Sequence, residues 1–69
     1  MDTYRRQTRS VIDRFLAHRL NFPDCIAALD ANLADFMSRC KPEQLASVRA
    51  LMLANNEIVM KEMERRGPP

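Results

Sequence analysis

The chain has 69 residues, 46% of them apolar and 29% charged, with a formal net charge of +2. That balance is too apolar for a disordered segment, and basic and acidic residues alternate without a long run of one sign, so neither nucleic acid nor an anionic membrane is demanded as a partner. One glycine and no tryptophan make an all-β fold improbable, and a chain this short hides only about 60% of the surface its unfolded form exposes, which favours association with something else.

The first helix is expected over about residues 3–19, with Asp2 or Thr3 as its N-cap. Tyr4, Thr8, Val11, Ile12, Phe15 and Leu16 recur at helical spacing and define its buried face, while Arg6, Arg9 and Asp13 lie opposite. Arg9 and Asp13 are four apart and can pair. Arg5, Arg6 and Arg9 form a basic cluster, read as a solvated face in preference to a phosphate-binding patch. The opening sequence Met-Asp-Thr-Tyr-Arg-Arg lacks the apolar core of a secretory signal, and no stretch approaches the roughly 20 apolar residues of a membrane span, so a cytoplasmic location is expected.

The break falls at Leu20-Asn21-Phe22-Pro23, because a residue before proline avoids the helical region. A second helix follows over about residues 23–38, capped by Asn21 or Phe22 and with Asp24 in its first turn, where the dipole favours a carboxylate. Phe22, Ile26, Leu29, Leu33, Phe36 and Met37 mark its inward face. Its back carries Ala27, Ala31, Ala34 and Ser38, which either admit another backbone closely or are simply good helix formers. The link Arg39-Cys40-Lys41 is short, so neighbouring helices should run antiparallel.

The third helix, about residues 42–66, dominates the chain. Pro42 and Glu43 suit its first turn; Arg65, Arg66, Gly67 and the prolines after it suit its end. At about 1.5 Å per residue it spans on the order of 36 Å. Leu45, Val48, Met52, Val59 and Met63 fall on one stripe, Leu51 and Ile58 widen it, and Ala46, Ala50, Leu53 and Met60 lie well outside that arc. A helix apolar on so many sides needs cover from more than one neighbour. Asn55 sits among Val48, Met52 and Val59, where a buried amide must find a partner: its symmetry mate in a helix-to-helix seam, a nearby loop carbonyl, or water at the stripe's edge.

Catalytic and metal-binding patterns are sparse. His18 is the one histidine, and Cys25 and Cys40, fifteen positions apart in no close-spaced pair, read as core thiols. Neither a four-ligand zinc set, nor paired Glu-x-x-His motifs, nor a glycine-rich phosphate loop is present in the sequence. No cofactor and no metal are expected.

The resulting expectation is one all-α domain over residues 1–69, a small three-helix bundle whose long C-terminal helix drives association into a dimer. Function is expected to be that of a cytoplasmic helical protein–protein interaction module, self-associating and not an enzyme, with Leu51, Leu53, Asn55, Ile58 and Met60 as its interaction surface. The alternative is a DNA-binding regulator of helix-turn-helix type, helped by the tri-helical order and by Arg5, Arg6 and Arg9, and opposed by the apolar character of the last helix and the lack of a small residue in the turn before it. The core should contain Phe15, Ile26, Leu29, Leu33, Phe36, Val48 and Met52.

Overall fold

The structure, a computed structural model, describes residues 2–67. They form three α-helices, α1 (Asp2–Leu16), α2 (Phe22–Met37) and α3 (Leu45–Arg66), with a 3-10 turn at Pro42–Gln44 leading into α3; among the described residues there is no strand. A chain end at Met1-Asp2 and a Gly67-Pro68-Pro69 tail suggest disorder by sequence, yet Asp2 is the first residue of α1 and Gly67 caps α3; Met1, Pro68 and Pro69 lie outside the described residues.

Each boundary has a local cause. The α1 helix stops at Leu16, three residues earlier than its pattern suggests. His18 takes a left-handed conformation at φ 61°, and its N–H donates to the Phe15 carbonyl at 3.1 Å while the Arg19 N–H donates to the Arg14 carbonyl at 2.9 Å. These two bonds satisfy carbonyls that the helix would otherwise leave open, and they fold the chain back so that Leu20 packs on the core. A histidine thus holds a position usually given to glycine. At the start of α2 the Asn21 side chain accepts from the Asp24 N–H at 2.8 Å, and Pro23 stands in the first turn, where its missing donor costs nothing. The turn at Pro42 is tighter than α, and the Gln44 side chain reaches back to accept from the Lys41 N–H at 3.0 Å. At the far end Gly67, at φ 80°, donates to the Met63 and Glu64 carbonyls at 3.2 and 3.1 Å.

The helices assemble around α1. Its inward residues Val11, Ile12 and Phe15 form one cluster with Cys25, Leu29 and Val59, and Leu20, Phe22, Ile26, Ala28 and Met63 pack against it. Tyr4 stacks on Phe36 with ring centroids 5.0 Å apart, a face-to-face offset contact worth about 0.5–1.5 kcal/mol beyond its buried area. Because Tyr4 meets the end of α2 while Phe15 meets its beginning, those two helices are antiparallel; because Arg66 reaches Phe15, α1 and α3 run parallel. Backbone approaches are concentrated at α1 with α2 and at α1 with α3. α2 and α3 stay farther apart, joined by side chains across a trough.

Of the expected core, Phe15, Leu29 and Val48 are buried, whereas Ile26, Leu33, Phe36 and Met52 are only partly covered. Leu16 and Met37, read as inward, keep 40% and 45% of their surface exposed. Each lies in the final turn of its helix, where the chain turns away before a neighbour covers it. Cys25 is fully buried, but Cys40 is only partly so, since it sits in the link rather than on a helix face.

Candidate interaction surface

The third helix is covered on one arc alone. Val48, Asn55, Val59 and Glu62 are buried, and Leu51, Met52, Met63 and Arg66 are half-buried beside them. Wound at about 100° per residue, these eight lie within roughly a third of a turn. The residues taken from sequence as the interaction surface therefore separate into three places. Met60, at 53% exposed, borders α2, and Leu53, at 58%, lies about 20° farther from the buried arc; Ile58, at 38%, lies with half-buried Leu51 on the opposite flank; Asn55, at 8%, is turned into the molecule.

The α2–α3 trough is the feature these placements create. Ile26, Leu29 and Asp30 of α2 face Asn56, Val59 and Met60 of α3 around an open volume of about 360 Å³. Next along it, a tighter recess of about 50 Å³ is lined by Tyr4, Leu29, Asp30, Leu33, Met52, Asn55 and Asn56. Its polar groups are a phenol, a carboxylate and two amides. Among the described residues no hydrogen bond ties Asn55 to a loop carbonyl or to any other side chain; its polar atoms keep a contact with solvent through the recess, since no fully buried side-chain N or O lacks a partner. Burial pushes the Tyr4 phenol up from its ordinary value. A phenol so placed stays protonated and can serve as a donor at neutral pH.

Six large apolar side chains stand exposed among the described residues, and of these Met60 lines the α2–α3 trough. On α2, Met37 continues the stripe Ile26, Asp30 and Leu33 at helical spacing; on α3, Leu45 lies about one turn before Arg49, which leads into Leu53, Asn56 and Met60. Sequence reading missed Met37, Leu45, Asp30 and Tyr4 as contributors. The signal available was the repeat of Met37 eleven positions after Ile26, but that repeat cannot tell an inward position from the edge of a trough.

The other notable arrangement closes the opposite end. Glu62, 9% exposed, accepts from Arg65 at 2.8 and 2.6 Å and from Arg66 at 2.8 Å. Arg66 also donates to the Phe15 carbonyl at 2.8 Å and lies 4.5 Å above the Phe15 ring. Hydrogen bonds from Arg65 and then Arg66 hold the Glu62 carboxyl down at about 2, against an ordinary 4.5. One side chain thus adds a second donor to the Phe15 carbonyl beside the His18 N–H, stacks on a core ring, and partners a buried carboxylate. This cluster is a clamp between two helix ends.

The residues considered for chemistry do not converge. His18 is exposed at the end of α1, and Cys25 lies within the core, where burial raises its thiol and leaves a poor nucleophile. Among the described residues no three His, Cys, Asp or Glu side chains gather as a metal site, and no helix is long and apolar enough to cross a membrane. The positive excess of the chain belongs to α1 and its end: five arginines face two aspartates up to Arg19, and beyond it six basic residues face seven acidic ones. Arg6, Arg9, Arg14 and Arg19 border an open surface there with Asp13 among them; Arg9 is held by Asp13 at 3.1 Å. No protein-family model, curated protein or solved structure matches this chain.

Proposed function

We propose that the protein is a non-catalytic helical interaction module that docks another helix along the α2–α3 side. One observation carries this reading: exposed Met60 lines an open trough between α2 and α3 together with Ile26, Leu29 and Val59, and Met37 and Leu53 stand exposed on the same stripes of those two helices. A helix laid against two others with apolar contacts spaced three or four residues apart is a recurring mode of recognition. The form requiring no other component is self-association, and the cytoplasm is the compartment in which two unpaired cysteines would remain reduced.

The test is an NMR experiment on labelled protein, first diluted in steps and then titrated with a leucine/lysine amphipathic helical peptide. Amide shifts at Ile26, Leu53, Asn56 and Met60 that respond to dilution or to the peptide, and vanish in Met60→Glu, are expected. A complete absence of response at these positions, or shifts confined to the outer face of α1, would overturn the reading. Binding of nucleic acid takes second place, favoured by the concentration of arginine on α1 and weakened by Asp13 standing among those arginines. Its signature would be a steep loss of duplex affinity with salt.

A further inference from the structure

We infer that the helix docked on this face is α3 of a second copy, running antiparallel about a two-fold axis at Leu53. This rests on the reading of the α2–α3 side as a docking surface and adds the occupant and its register.

The inference comes from the order of residues along the exposed stripe of α3. Ala46, Arg49, Leu53, Glu57, Met60 and Glu64 are all exposed, and steps of three and four place them on one narrow line of the helix. That line is complementary to its own reverse. Rotated about Leu53, each residue faces the one equally far on the other side, as an isologous contact requires. Leu53 then meets Leu53. Four positions away, Arg49 meets Glu57 of the other copy, and opposite charges face each other at both ends. Seven positions away, the large Met60 meets the small Ala46, a pairing of bulk with space. Eleven positions out, Glu64 falls beside Pro42 and the adjoining Lys41. No like charges oppose one another anywhere on the line.

The charges of the stripe agree with this. Arg49 has no ion pair among the described residues, and Glu57 is held only by Lys61 on an exposed flank at 3.0 Å. A single helix stripe with Met37 and Leu45 beside it is a narrow interface, so association on the order of micromolar is expected, at the weak end of specific pairing. Asn55 points inward and takes no part in this seam.

Charge reversal tests the register. In sedimentation experiments Arg49→Glu and Glu57→Arg should each weaken dimerisation by about tenfold or more, because like charges then face each other across both ends of the seam, and the double variant should recover it. Leu53→Cys, in a Cys40→Ser background, should form an interchain disulfide rapidly under mild oxidation, whereas Ile58→Cys should not, since only position 53 meets its own copy. All these sites are exposed, and circular dichroism checks that the helices persist. Failure of the double variant to recover, or crosslinking at position 58 in preference to 53, would overturn the antiparallel register while leaving a docking face in place. A wild-type chain that remains monomeric at hundreds of micromolar would overturn the second copy as occupant; peptide binding at the same trough would then still uphold the broader reading.

Discussion

Replacing Arg66 with alanine tests whether the two helix ends are held together by the clamp at Phe15. The substitution removes a charge-assisted hydrogen bond of 2.8 Å to the Phe15 carbonyl, a class of bond worth about 1.5–3 kcal/mol. It also removes a cation–π contact at 4.5 Å, worth about 0.5–1 kcal/mol at a partly exposed site. These effects share one side chain and are not strictly additive, so a loss of about 2–3 kcal/mol is expected, before counting the Glu62 pairing. A chain of 69 residues has about 3–10 kcal/mol of total stability, and each kcal/mol moves the melting temperature of a domain this size by about 4–8 °C. The variant should therefore melt roughly 10–20 °C below wild type by circular dichroism. Arg66→Lys separates the parts, because an ammonium keeps the charge but cannot both stack flat on the ring and fork toward Glu62 and the carbonyl; it should fall between the two. Melting of Arg66→Ala within a few degrees of wild type would show that the His18 N–H suffices for the Phe15 carbonyl and that the clamp is incidental.

Two further outcomes are expected. Because the arginines hold the Glu62 carboxyl at about 2 in the folded protein against 4.5 otherwise, its contribution is fully present above pH 4.5 and is lost as the pH falls from there toward 2; thermal melts down this range should show wild type losing stability more steeply than Glu62→Gln, and parallel curves would refute the coupling. Asn55→Leu removes an amide that is turned inward yet reaches solvent through the recess, so it should move stability by no more than about 0.5 kcal/mol and leave the sedimentation mass unchanged; a loss of about 1–3 kcal/mol would mean that the amide is bonded after all.

The limits of the helices and their inward faces were legible in the sequence wherever the cause was local. Asn21 before Pro23, the pair Arg9 and Asp13, and Gly67 after two arginines act within a turn of the chain, so residue type and spacing are enough to read them. The early end of α1 was not legible, because a histidine in a left-handed position is chosen by what Leu20 must reach, and neither Ala17, His18 nor Arg19 is by type a helix breaker. The surface of α3 shows the same division. Periodicity placed Val48, Asn55 and Val59 on one line and Leu53 and Met60 on another. It could not say which line a neighbour covers, nor that Glu62, a carboxylate by composition a surface residue, would be buried under two arginines. Spacing along a helix defines angles around that helix only; the rotation of α3 against α1 and α2 is set by α1 lying between them, with Phe15 under Arg66 at one end and Tyr4 under Asn55 at the other. Those contacts join residues about fifty positions apart, and only the folded chain brings them together.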